Sequence, residues 1–144
     1  MNRSLAVLLL CTVLLAGCRR PVSYETFVLA GEAEEDIYQF ELDLSDEGCS
    51  YDISFFTKTD APIFRKQDTA SVPIVVNWSM EDNPGFSETV WYPLGENKVP
   101  YRTGVVMEQL GTWTLKAHVM YAPAGFRGLG IICKRNENGT RQTP

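Results

Sequence analysis

The only histidine in the chain, His118, is the first residue to consider for catalytic or metal-binding chemistry. An imidazole works in a catalytic triad or a zinc site only when a nucleophile or further ligands lie nearby. His118 instead lies with Lys116 on the polar side of an alternating segment, which favours a solvated side chain. The sequence contains no Gly-x-Ser-x-Gly, P-loop, Gly-x-Gly-x-x-Gly or Cys-x-x-Cys motif. We therefore predict a protein that is not an enzyme and needs no cofactor.

Acidic residues are concentrated between positions 32 and 47. They are Glu32, Glu34, Glu35, Asp36, Glu41, Asp43, Asp46 and Glu47. Clustered carboxylates can bind Ca²⁺, which takes about six to eight oxygen ligands. Glu41 and Asp43, however, are spaced like the outer face of a strand, and the segment has no EF-hand pattern. A solvated acidic face is the favoured interpretation, so we predict no metal site, and no carboxylate pair stands out for glycoside hydrolysis.

The N-terminal segment has the features of an export signal. Arg3 provides a positive charge, and residues 5–15 form an apolar run that is shorter than the roughly 20 residues needed to cross a bilayer. The run ends in Leu15-Ala16-Gly17-Cys18, which resembles the lipobox of bacterial lipoproteins. The resemblance implies that residues 1–17 are removed, that the Cys18 thiol is acylated, and that residues 18–23 form a lipidated tether to the membrane.

Two cysteines remain after this processing. Cys11 leaves with the signal and Cys18 carries the lipid, so Cys49 and Cys133 are left in the mature chain. Export to an oxidising compartment favours a disulfide between them. Both belong to the inward-facing sets of their alternating segments, which also suits two separate buried thiols. We predict the bridge and keep the free thiols as the alternative.

Aromatic residues suggest one binding surface. Trp78 and Trp113 fall among core-facing positions, so we expect them to pack inside the domain. Trp91, Tyr92 and Tyr101 flank turns instead, and they are the candidates for an exposed platform that stacks on a sugar ring. If they converge on one exposed face, a glycan-binding role gains support. If they are buried, protein docking gains support.

Most of the chain alternates between apolar and polar residues, which is typical of strands with one buried face. The alternating segments are 36–44, 49–55, 72–80, 113–121 and 129–133. Further strands are expected at 24–30, 87–92 and 101–108. Turn residues separate these segments, and Asp82-Asn-Pro-Gly85 is one such predicted turn. The pattern predicts a single all-β domain over residues 24–134, a β-sandwich or jelly-roll-like fold of about eight antiparallel strands.

Two segments lie outside this pattern. Residues 62–70 are expected to form a long loop or a single helical turn. Within this segment, Asp68-Thr69-Ala70 resembles the O-glycosylation acceptor of Bacteroidota and makes Thr69 a possible glycan site. Residues 135–144 contain no apolar side chain, so we expect a disordered tail.

The order of segments is similar to the gliding-motility lipoprotein H family and related small envelope lipoproteins of Bacteroidota. The similarity rests on FELDLSDEGCSYDISFFTKTD, GTWTLKAHV and GLGIICKR, and it covers residues 36–134. It implies a β-sandwich with an accessory or structural role in the envelope. The Tyr-Pro-rich stretch and the Trp-Gly pair associated with that family are not clear in this sequence, so it leaves any role in gliding open.

The net charge of the mature chain and the residues that follow Cys18 limit the partners and the location of the protein. Removing residues 1–17 takes away Arg3 and no acid, which changes the net charge from −5 to −6 and disfavours nucleic acid. Arg19 replaces the Asp that retains enterobacterial lipoproteins in the inner membrane, which favours the outer membrane. Arg19-Arg20-Pro21 also lacks the acids of surface-exported lipoproteins, which favours the periplasmic face.

We expect a non-enzymatic envelope protein that docks on a protein partner, with a carbohydrate-binding jelly-roll module as the alternative.

Overall fold

The structure is a computed structural model that describes residues 21–60, 71–93 and 96–137. The predicted signal segment, the predicted lipidation site Cys18, the predicted glycosylation site Thr69 and residues 138–144 lie outside this part of the chain. No helix in the described part is long and apolar enough to cross a membrane.

Eight strands make up the described chain. Their bounds are β1 Ser23–Leu29, β2 Ile37–Leu44, β3 Cys49–Thr59, β4 Ser71–Met80, β5 Asn83–Pro93, β6 Lys98–Val105, β7 Gly111–Val119 and β8 Phe126–Glu137. Each strand overlaps a segment predicted from the sequence, because apolar residues at every second position give one face of a strand to the core.

The strands form two four-stranded antiparallel sheets with the orders β1-β8-β3-β6 and β2-β7-β4-β5. Eight strands in two sheets with these crossovers have jelly-roll topology. The predicted all-β sandwich of eight antiparallel strands is confirmed. The sheets face each other so that β1 lies over β2 and β6 lies over β5.

The core lies between the two sheets and consists of the inward-facing residues of each strand. Its largest fully buried side chains are Tyr38, Tyr51, Phe40, Phe55, Leu42, Leu44, Ile53, Ile74, Leu115, Leu129, Ile131 and Val76. Trp78 and Trp113 are also buried, as predicted. Tyr121 was expected in the same inward set, but it is 73% exposed because β7 ends at Val119 and the chain leaves the sheet there.

The two ends of the sandwich are distinct. Odd-numbered strands begin at one end and even-numbered strands begin at the other, because paired strands are antiparallel. We call the end that holds Ser23 and the β6–β7 connection the proximal end, since it adjoins the N-terminal segment. The opposite end, which holds Leu29 and Pro93, is called the distal end.

The C-terminal boundary of the domain differs from the prediction. β8 continues through Glu137, so residues 135–137, expected in the disordered tail, belong to a paired strand. Arg135 Nη1 lies 2.6 Å from Asp46 Oδ2, and Asn136 Nδ2 donates to Asp52 Oδ2 at 2.7 Å. At the other terminus, β1 begins at Ser23, one residue inside the expected tether. Backbone pairing and these polar contacts order residues that apolar patterning alone assigns to the tail.

Candidate functional site

The three residues of the predicted aromatic platform lie in three different environments. Trp91 is 65% exposed, Tyr92 is 5% exposed, and Tyr101 is partly buried. Neighbouring residues of a strand point to opposite faces of the sheet, so Trp91 and Tyr92 cannot share a surface. The three candidate residues therefore do not form one exposed platform.

Tyr92 is a core residue of β5. Its hydroxyl donates a hydrogen bond to the Glu96 carbonyl oxygen at 3.0 Å. Burial, together with the charge of Glu96, raises the pKa of Tyr92 to about 12. The side chain thus packs the distal half of the sandwich and offers no face to a ligand.

Tyr101 is the centre of a polar network between β5 and β6. Its hydroxyl accepts a hydrogen bond from Trp78 Nε1 at 2.8 Å and donates one to Glu88 Oε1. Arg102 Nη2 lies 2.5 Å from the same Glu88 oxygen. Burial and the Glu88 carboxylate raise the pKa of Tyr101 to about 12.

This network joins the edges of the two sheets. β5 and β6 are edge strands of different sheets, and Glu88 lies between residues of β5 that face the core. An inward-pointing charge on an edge strand disfavours pairing with another chain. The Glu88–Arg102 pair satisfies that charge and bridges the sheets at their open side, which gives the network a structural role.

An aromatic cleft of about 390 Å³ opens beside this network. It is lined by Trp78, Asn83, Phe86, Arg102, Val105, Val106, Met107, Glu108, Gln109 and Trp113. Phe86 stacks on Trp78 with a centroid distance of 6.0 Å, and the Arg102 guanidinium lies 6.0 Å from the Phe86 ring centre. The indole N–H groups of Trp78 and Trp113 both donate to protein acceptors. The cleft's aromatic donors are therefore already used within the protein.

Trp91 belongs instead to an apolar area on the outer face of the β2-β7-β4-β5 sheet. It pairs with Pro73 of β4, whose carbonyl oxygen accepts the Met120 N–H at 3.1 Å. Val75 lies two residues along β4 on the same outer face. We call this set of Pro73, Val75, Trp91 and Met120 the distal apolar surface.

Pro73, Val75, Trp91 and Met120 carry no formal charge. Pro73, Val75 and Trp91 are outward members of strands whose inward members form the core, and Met120 follows the end of β7. Val72, Ile74 and Val76 alternate with Pro73 and Val75 along β4 and are all buried. A half-buried strand normally presents polar residues to water, so apolar residues on both faces are unusual at this end of β4. An exposed apolar surface of this kind marks an interaction site.

The predicted disulfide is not present. Cys49 and Cys133 are both free. In the β3–β8 pair, Cys49 lies opposite Glu137 and Cys133 lies opposite Ile53, so the two cysteines are four residues out of register. That offset corresponds to about 13 Å at roughly 3.3 Å per residue, whereas the Cα atoms of a disulfide lie within about 7 Å of each other. The alternative of two separate thiols is correct.

The remaining predicted polar residues lie at the surface. Glu32, Glu34 and Glu35 line an open depression with Lys116, and His118 lies partly exposed on the outer face of β7. Within residues 21–60, 71–93 and 96–137, no group of three or more His, Cys, Asp or Glu side chains is placed to hold a metal ion.

Comparison with known proteins found no match: no family model, no curated protein and no solved structure is significantly similar to this chain.

Proposed function

We propose that this protein is a lipid-anchored, non-enzymatic component of the bacterial cell envelope that docks onto an envelope protein through its distal apolar surface. The observation that carries the proposal is the 65% exposure of Trp91 among apolar neighbours. The proposed location is the periplasmic face of the outer membrane, with the lipid on Cys18. This assignment rests on the lipobox-like sequence and on Arg19 and Arg20 after it.

The position of the distal apolar surface favours a protein partner over the membrane. Pro21, at the proximal end, is three residues from Cys18, which limits the tether to about 10 Å at roughly 3.5 Å per residue. Trp91 lies eight residues along β5 from Asn83, or about 26 Å at roughly 3.3 Å per residue. The surface therefore points away from the lipid and is available to a partner in the periplasm.

The chemistry of the surface defines the partner's side of the interface. Trp91 is the type of residue that dominates binding energy when a partner pocket covers it. The neighbouring apolar and uncharged residues exclude water without needing ion pairs. We expect the partner to present an uncharged apolar groove or pocket that accepts the indole ring.

A binding experiment with two matched variants tests the docking proposal. The mature chain is immobilised and incubated with detergent-solubilised outer-membrane proteins, and the bound partner is identified and titrated. Trp91→Ser should weaken binding roughly 30-fold, as expected for a hot-spot residue worth about 2 kcal/mol. Trp91→Phe should retain most of the affinity. Equal affinity of the wild-type chain and Trp91→Ser would refute the proposal.

The lipid anchor has its own test. Cys18→Ala should abolish incorporation of a palmitate analogue and move the protein from the membrane fraction to the soluble fraction. Arg20→Ala, which leaves the lipobox-like residues intact, is the control and should remain acylated. A Cys18→Ala protein that still labels and still sediments with membranes would contradict the anchor.

A further inference from the structure

We propose that the proximal end of the sandwich packs against the lipid surface of the membrane that anchors the protein, with the β6–β7 loop as the main contact. This inference rests on the proposed lipid at Cys18. It adds an interaction surface that the anchor alone does not require, because a tethered domain can also tumble freely.

Five exposed large apolar side chains form a group at the proximal end. Val106 and Leu110 lie in the β6–β7 loop, Val22 and Tyr24 lie at the start of β1, and Phe86 lies near the start of β5. Val106 is 61% exposed and Val22 is 55% exposed. Single exposed apolar residues need no explanation, but a group at one end of a domain marks an interaction site.

The β6–β7 loop is held in place by hydrogen bonds around Gln109. The Trp113 indole N–H donates to the Gln109 carbonyl oxygen at 3.1 Å, and Asn83 Nδ2 donates to Gln109 Oε1 at 2.8 Å. These contacts tie the loop to β7 and to the β4–β5 hairpin. Val106 and Leu110, on either side of the loop, are therefore exposed on an ordered segment.

The length of the tether identifies the bilayer as the surface that meets this end. Pro21 is three positions along the chain from Cys18, so the proximal end lies within about 10 Å of the lipid attachment point. Apolar side chains on a peripheral protein bury about 5–10 Å deep at the boundary between headgroups and acyl chains. The exposed residues of the proximal end are thus within reach of that boundary whenever the lipid is inserted.

Charges at the proximal end indicate which lipid it prefers. The three turns at this end contain Glu47, Glu81, Asp82 and Glu108 and no Lys or Arg, whereas the basic residues Arg19 and Arg20 belong to the tether. Anionic headgroups would repel these carboxylates over a distance of about 8–10 Å, the Debye length at physiological ionic strength. We therefore infer that the contact is with a surface of zwitterionic lipid.

A fluorescence-quenching experiment on the lipidated full chain tests the inference. The background carries Cys49→Ser and Cys133→Ala, and a single label is attached at Val106→Cys or, as the control, at Ser87→Cys on the outer face of β5. The proteins are reconstituted into phosphatidylcholine vesicles that contain a spin label at the headgroup boundary. Quenching at position 106 should exceed quenching at position 87 by roughly two-fold or more, since only a contacting residue reaches that depth. Replacing about a third of the lipid with phosphatidylglycerol should reduce quenching at 106.

The outcomes separate this inference from the proposed function. Vesicle flotation reports the anchor independently of quenching. If the protein floats with the vesicles but positions 106 and 87 are quenched equally, the membrane contact is refuted and the anchor stands. Stronger quenching at 106 with anionic lipid would refute the zwitterionic preference. Protein that does not float with the vesicles would refute the anchor and this contact together.

Discussion

Cys133 is a buried thiol whose chemistry follows from its position on β8. Burial raises its pKa to about 11, and the charge of Asp52 adds to this effect. Because the thiolate is the reactive form, the thiol should react slowly at neutral pH. We predict that Cys133 in the native mature chain resists iodoacetamide at pH 8, while the more exposed Cys49 reacts first. Under denaturing, non-reducing conditions, mass spectrometry should detect two added alkyl groups. A mature chain with no added alkyl group would show that Cys49 and Cys133 form a disulfide.

Tyr101 stabilises the open side of the sandwich through its hydroxyl. Tyr101→Phe leaves the Trp78 indole N–H without its acceptor and removes the donor to Glu88. An unsatisfied buried polar group costs about 1–3 kcal/mol, so the free energy of unfolding in urea should fall by that amount. Tyr121→Phe, which changes a 73% exposed residue, is the control and should leave stability unchanged. A stability loss in Tyr121→Phe equal to that in Tyr101→Phe would contradict the role of the network.

The Trp91–Tyr92 pair shows how far single residues could be predicted. Their aromatic character and their position before a turn were readable in the sequence. Their opposite directions also follow from strand alternation, because the predicted strand 87–92 already contains both residues. The hydrogen bonds of Tyr101 could not be predicted, because they depend on which edge strands the topology brings together.

Gly128 allows the close approach of β1 and β8 at the distal end. Its φ is +147°, and a Cβ atom there would lie 2.1 Å from the Val28 carbonyl oxygen and 3.0 Å from the Leu29 Cα. Gly128→Ala should therefore displace the end of β1 and destabilise the protein by about 1–3 kcal/mol. Gly31→Ala, where a Cβ atom meets nothing within 4 Å, is the matched control. Urea unfolding and amide exchange in β1 measure the effect, and unchanged exchange in both variants would show that the strand tolerates a side chain at 128.

At the level of elements, alternation predicted five strands, and three further strands were expected between them. All eight are present, but the predicted ends of the strands were less accurate. Asp82-Asn-Pro-Gly85 was interpreted as a turn, with a strand from residue 87, yet β5 begins at Asn83. Gly85 has a φ of +68°, and a Cβ atom there would lie 1.8 Å from the Trp78 carbonyl oxygen. The glycine thus permits an irregular pairing at the start of the hairpin, and the local turn pattern cannot distinguish that from a loop.

For the whole molecule, buried tyrosines predict sensitivity to alkaline pH. Tyr92 and Tyr101 have pKa values of about 12 in the folded chain, above the value of about 10 for an unfolded tyrosine. The unfolded state therefore loses these protons first, so stability is fully present below about pH 10 and falls as pH rises towards 12. The urea concentration at the unfolding midpoint, measured from pH 8 to 12, should decrease above about pH 10. Tyr92→Phe should reduce the slope, and an unchanged slope in that variant would assign the effect to other groups.

The orientation of the whole molecule could not be predicted from the sequence. The N-terminal motif indicates a lipid, and alternation indicates a sandwich, but neither states which end of the sandwich meets the membrane. Jelly-roll topology places the start of β1 and the β6–β7 connection at one end, with Trp91 and Met120 towards the other. Both proposals use this arrangement: we propose that the proximal end faces the membrane and that the distal apolar surface faces a partner.

In-cell photo-crosslinking at position 91 tests the docking proposal most directly. A photoreactive benzoyl-phenylalanine replaces Trp91 in the full chain, and a second strain carries it at Ser87, which lies on the same face of β5 but nearer the proximal end. After irradiation, our account predicts one discrete, saturable adduct with an envelope protein from position 91 and none from position 87. No adduct from position 91, or the same adducts from both positions, would contradict the proposal that the distal apolar surface is a docking site.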